Sequence, residues 1–96
     1  MSRLPLHKFR LYVAGEAQNS VQAVANLAEI CRTYLPSCHE IELVDVLKEP
    51  KLALANGIFM TPTLLRLSPA PTVRIVGTLN QVEPVLLALG LQTAAA

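Results

Sequence analysis

Two β-rich runs flank one helical stretch in the first half of the chain, and this spacing restricts the fold more than any other feature. Phe9 to Ala14 reads as a buried strand. From Ser20, apolar residues recur at Val21, Val24, Leu27, Ile30, Cys31 and Tyr34, the interval of one helix face, and Pro36 ends the pattern. Glu40 to Val46 makes a second strand, apolar enough at Ile41, Leu43, Val44 and Val46 to be expected at the centre of a sheet. Strand, helix, strand is a βαβ unit, whose strands run parallel and whose crossover is right-handed.

The second half adds a hairpin and a closing helix. Pro50 suits the first position of a short helix through Ala55, with Asn56-Gly57 as its C-cap. "MTPTLLRL" starts a strand at a proline, and "SPAP" turns it into "TVRIVG". Asn80 and Glu83 have capping-box spacing ahead of a helix over Val82 to Leu89 that closes at Gly90. The order β-α-β-α-β-β-α is that of a thioredoxin-like α/β domain. Such folds place a cis-proline at the start of the third strand, and Pro62 is expected to be that residue.

In this architecture the loop from the first strand into the first helix is where chemistry would be sought, since a helix N-terminus offers free N–H groups and a favourable dipole. Gly15-Glu16-Ala17-Gln18-Asn19-Ser20 lacks both the G-x-G-x-x-G spacing and the Gly-Lys-Ser/Thr ending of phosphate-binding loops. It also lacks the C-x-x-C of a dithiol exchanger. The expected role is structural, with Asn19 as N-cap and Gln22 completing a capping box. Cys31 falls on the apolar stripe as a small core residue, Cys38 is not expected to pair with it, and His39 is expected to be an exposed strand-edge residue. No catalytic set, cofactor motif or metal-ligand spacing emerges.

The 96 residues suit one domain over 1–96, with its core at about 8–91 and a frayed tail at 92–96. Although 52% of the residues are hydrophobic, no apolar run approaches the ~18 to 20 residues of a membrane span. "MSRLPLHKFR" does not read as a secretory signal, so a cytoplasmic address is expected. Net charge is +1 with dispersed basic residues, unlike a nucleic-acid-binding stripe.

Five blocks in order, "LYVAG", "NSV", "VDVLKEPKLA", "TPTL" and "PAPTVRIVG", make the chain resemble the KaiB family of circadian-clock proteins from about Leu11 to Leu91. The resemblance implies a thioredoxin-like scaffold without its cysteines, used for binding. It implies a KaiC-type ATPase as partner, with KaiA or a histidine kinase carrying a KaiB-like domain in the same system. It also implies a second, ground-state fold in which the C-terminal half is rearranged and the chain forms a dimer or tetramer. Matching positions are Tyr12, Gly15, Asn19, Ser20, Asp45, Lys48, Pro50, Thr61, Pro62, Pro71, Arg74 and Gly77. Arg66, which replaces a family lysine, joins Arg74 and Lys48 as the partner-binding candidates.

Clock-type members of the family carry basic residues where this chain has Gln22, Ala25, Glu42 and Gly57, and an acidic tail where it ends in alanines. They carry glycine at the position of Ala88. With Gly90 closing the helix, Ala88 tips the balance towards a resting thioredoxin-like form with Pro62 cis. The competing functional reading is a thioredoxin-like oxidoreductase or peroxidase-type enzyme that uses a single cysteine.

Overall fold

The computed structural model describes residues 5–91. Strands β1 (His7–Val13), β2 (His39–Asp45), β3 (Thr63–Ser68) and β4 (Val73–Val76) alternate with helices α1 (Gln18–Tyr34), α2 (Pro50–Ala55) and α3 (Val82–Leu89) in the expected order. The sheet runs β2-β1-β3-β4. β1 and β2 are parallel, while β1–β3 and β3–β4 are antiparallel.

β1 holds the middle because its alternation serves both faces. Phe9, Leu11 and Val13 meet Ala23, Leu27, Ile30 and Cys31 of α1 and Val85, Leu86 and Leu89 of α3. Tyr12 points the other way and packs with Val44, Ala53, Ile58 and Leu65, the layer that α2 closes. Each fully buried Leu or Phe contributes about 1.5–3 kcal/mol, so these two layers are the main adhesive.

β2 lies at the edge of the sheet, not at its centre as its composition suggests. Its register places Ile41 and Leu43 beside Phe9 and Leu11, on the α1 side. α1 does not reach over them, and Leu43 stays 53% exposed. The result is an apolar groove between α1 and β2, lined by Val21, Val24, Ala25 and Leu43.

Helix starts differ from expectation in a consistent way. α1 begins at Gln18 behind Ala17, which provides no side-chain cap. Asn19 therefore lies inside the helix, and Ser20, one of the residues buried along α1, accepts a hydrogen bond from the Ala14 N–H at 3.0 Å. The capping box of Asn80 and Glu83 also does not form, since Gln81 stands at the N-cap of α3 without a side-chain bond. At the other end Gly90 adopts the left-handed conformation at φ 74°, as its position demanded.

His39 is half-buried rather than exposed, and its Nδ1 lies 2.7 Å from the carbonyl of Leu35 at the end of α1. Thr61–Pro62 is cis, as are the peptide bonds preceding Pro69 and Pro71. Cys31 is buried and Cys38 half-buried, both as free thiols. The expected fraying of 92–96 falls outside the described residues.

Candidate protein-binding surface

The loop after β1 closes on itself. Asp45, the last residue of β2, accepts from the N–H groups of Gly15 and Leu47, each at 3.0 Å. Ser20 takes the N–H of Ala14, and Val46 donates to the carbonyl of Val13 at 2.8 Å. Gly15 sits at φ 55°, where a side chain is strained, and an added Cβ would come within 3.3 Å of Leu47 Cδ1. The N–H groups of Ala14 and Gly15 are thus committed to the protein's own side chains.

The cysteines are placed apart from this loop. Burial pushes the Cys31 thiol up to about 11, which disfavours the nucleophilic thiolate. Among the described residues there is no group of three His, Cys, Asp or Glu side chains that could hold a metal ion.

The three cationic candidates separate. Lys48 is exposed in the turn before α2. Arg74, exposed on β4, reaches the far end of the same helix, donating from Nη1 to the Gly57 carbonyl at 3.0 Å and from Nη2 to the Asn56 carbonyl at 3.3 Å. They mark the two ends of α2. Arg66 does not belong with them, because it lies on the opposite face of the sheet and is only 5% exposed. Its guanidinium donates to the carbonyls of Leu89 at 2.6 Å and Pro71 at 3.0 Å, which corrects its expected place on the surface.

The structural candidates divide in the same way. Pro62 is buried at the entry to β3, where its carbonyl accepts from the Gly77 N–H at 2.9 Å. Ala88 is exposed on α3 and Gly90 follows that helix.

Two features escaped the sequence reading. Arg10 and Glu42, partners in the parallel register, form an ion pair at 2.8 Å on the α2 side of the sheet. The Tyr12 hydroxyl and the Glu42 carboxylate hold the Arg10 guanidinium above its ordinary range. The signal was present: once Leu11 and Leu43 are aligned, residues 10 and 42 must be neighbours. The second feature is the exposure of Phe59 and Met60, hidden in a segment that reads simply as the approach to a strand.

The arrangement offers backbone-braced loops, exposed cations and exposed apolar groups, which are the materials of a docking face. The family model described as the KaiB domain matches residues 10–91. The circadian clock protein KaiB3 of Synechocystis sp. is 40% identical over 89 residues, covering 93% of this chain and 84% of that protein. The circadian clock oscillator protein KaiB of Prochlorococcus marinus is 41% identical over 91 residues, covering 95% and 78%. Among solved structures, the N-terminal domain of Synechococcus elongatus SasA superposes with a TM-score of 0.73 at 15% identity, over 100% of this chain and 94% of that one. Chloroplastic thioredoxin z gives 0.72 at 15% identity, over 88% and 77%. At such identities the two structures establish the thioredoxin-like fold alone.

Proposed function

Because the chain belongs to the KaiB family, we propose that it is a non-enzymatic adaptor that binds a KaiC-type ATPase in a circadian clock or a reduced timing or stress pathway. The observation that carries this reading is the family match, which spans residues 10–91. The site supports it. Where a dithiol exchanger would present a thiolate at the start of α1, this chain presents Gly15 to Asn19, with the N–H of Gly15 closed on Asp45.

The proposed contacts are Lys48 and Arg74 at the ends of α2. The wider system would include KaiA or a histidine kinase that competes for the ATPase, and the work would be done in the cytoplasm. In keeping with that address, no helix among the described residues is long and apolar enough to cross a membrane. We further propose that the chain can leave this fold for a ground-state oligomer, a dimer or tetramer, with Pro62, Ala88 and Gly90 in the region that changes.

The test is co-elution of the purified protein with the KaiC-type ATPase of the same organism. A stable complex is expected. Absence of binding, together with reduction of insulin disulfides by the purified protein, would replace the adaptor with the single-cysteine oxidoreductase reading.

A further inference from the structure

We propose that Asn56–Gly57 is a modification site at which the chain converts its own asparagine to aspartate or isoaspartate with loss of ammonia, and that Arg74 is the guard that sets the rate. This inference stands apart from the adaptor reading, because it concerns the chemistry of the chain itself.

The reaction joins one peptide nitrogen to one carboxamide. The Gly57 nitrogen gives up its proton to solvent and attacks Cγ of Asn56; as the N–Cγ bond forms, the Cγ–Nδ2 bond breaks and Nδ2 leaves as ammonia. Water then opens the cyclic imide. Attack at the side-chain carbonyl yields aspartate, while attack at the main-chain carbonyl leaves the chain running through the side chain as isoaspartate. Glycine in second place permits ring closure best, because it has no Cβ to obstruct the attack. Asn19, Asn26 and Asn80 are followed by Ser20, Leu27 and Gln81, so Asn56 is the asparagine with the unobstructed neighbour.

The fold holds the reacting groups apart. Asn56 is the C-cap of α2, with φ −99° and ψ 11°. Ring closure needs the Gly57 nitrogen on the same side of the Cα–C bond as the Asn56 Cβ, and at that ψ it nearly eclipses the Asn56 backbone nitrogen instead. Hydrogen bonds fix this arrangement. The Asn56 Nδ2 donates to the Leu52 carbonyl at 2.8 Å, which turns the carboxamide back along the helix. The Gly57 N–H donates to the Leu54 carbonyl at 3.0 Å, which keeps its proton engaged. Arg74 closes both peptides, with Nη1 on the Gly57 carbonyl at 3.0 Å and Nη2 on the Asn56 carbonyl at 3.3 Å.

These contacts differ in what supports them. The bonds to Leu52 and Leu54 belong to the last turn of a six-residue helix, an element too short to be stable alone. Arg74 ties that turn to β4 and so to the sheet. Its charge favours the amide anion, yet the anion cannot close a ring until ψ rotates. Geometry therefore outweighs charge, and opening of the last turn is the step that Arg74 controls. Conversion places a carboxylate at the C-terminal end of α2, where the helix dipole disfavours it, and lowers the formal net charge of +1 by one.

The experiment incubates wild type and Arg74→Ala at mildly alkaline pH, each folded and in guanidinium chloride. Intact mass and peptide mapping follow aspartate and isoaspartate at position 56, and far-UV circular dichroism establishes that the variant is folded. Folded wild type is expected to convert at least tenfold more slowly than the same chain in denaturant, with the product at position 56. Folded Arg74→Ala should convert several-fold faster than folded wild type, while the two denatured chains share one rate. If Arg74→Ala does not fold, Arg74→Lys, which keeps the charge but loses the fork, takes its place with the same expectation. A folded variant that converts no faster than wild type would overturn Arg74 as the guard. Equal rates in folded and denatured wild type, or conversion at Asn19, Asn26 or Asn80 instead, would overturn the proposal as a whole.

Discussion

The Nη1 of Arg66 donates to the carbonyl of Leu89 at 2.6 Å, joining the middle of β3 to the last residue of α3. A helix leaves its final carbonyls without intrahelical donors and carries partial negative charge there. The buried guanidinium satisfies one of them and draws some compensation for its own desolvation. Its Nε remains buried without a partner, so the arrangement stabilises α3 at a local cost.

Replacing Arg66 by alanine should therefore destabilise the fold by roughly 2–4 kcal/mol, since it removes packing and leaves the Leu89 and Pro71 carbonyls unpaired. Arg66→Met, which keeps the stem and removes the buried charge, should cost less than half as much. Urea denaturation of the two variants checks the order; equal losses would mean that the guanidinium's hydrogen bonds, and not the packing of the stem, explain the residue.

Arg74→Glu should leave stability nearly unchanged, because the Arg74 hydrogen bonds are exposed and each contributes about 0.5–1.5 kcal/mol at most. Its effect should appear in affinity for the ATPase, as a loss larger than the ~1 kcal/mol typical of an exposed charge. Titration calorimetry of the complex measures it, and an unchanged affinity would remove Arg74 from the interface.

Asp45 holds two backbone donors at once, so Asp45→Ala is expected to cost about 1–3 kcal/mol. Asp45→Asn retains an acceptor and should recover most of that. Amide hydrogen exchange at Gly15 and Leu47 gives a local readout: both should exchange faster in the alanine variant.

Burial raises Cys31 from the ordinary 9.0 to about 11, so between these values the folded chain keeps a proton that the unfolded chain has released. Its contribution to stability is complete below pH ~9 and declines as pH rises towards about 11, at roughly 1.4 kcal/mol for each unit between the two values. Tyrosines and lysines titrate in the same window, so the measurement is a difference: denaturation midpoints of wild type and Cys31→Ala against pH. The gap between the two should narrow with rising pH, and a constant gap would contradict the assignment.

Ala88→Gly should weaken α3 by about 1 kcal/mol, since Ala88 is exposed and contributes propensity rather than packing. Any second fold that this segment can adopt then gains population roughly fivefold. Slowly exchanging amide NMR peaks for Val82 to Leu89 are expected to grow in the variant. A wild-type spectrum with strand shifts across that segment would refute the helical resting state.

Element order, the hairpin and the left-handed Gly90 were legible, because periodicity and turn chemistry are local, and the cis Thr61–Pro62 bond was expected from the fold that this order implies. The place of β2 was not. An edge strand with exposed Ile41 and Leu43 has the composition of a central one, and only the reach of α1 decides which it is. Arg66 was misread for a related reason: a strand arginine looks solvated until a helix end is known to lie above it. Caps failed at Asn19 and Asn80 because backbone geometry, set by packing, chose Ala17 and Gln81 instead.

The segments 7–45 and 63–89 meet through a single antiparallel ladder between β1 and β3 and the core layers on its two faces. Of the positions where the resemblance implies a change of charge, Gln22, Ala25 and Glu42 lie on the first segment, on α1 and β2, and Gly57 lies outside it, at a carbonyl that Arg74 holds. Phe59 and Arg74 belong to the other side of that seam. Selection can therefore act on the two surfaces separately, since a change of side chain on α1 leaves the hydrogen bonds of Arg74 to Asn56 and Gly57 in place. The division of the fold is also a division of evolutionary liability, which lets a small adaptor change the circuit it serves without being rebuilt.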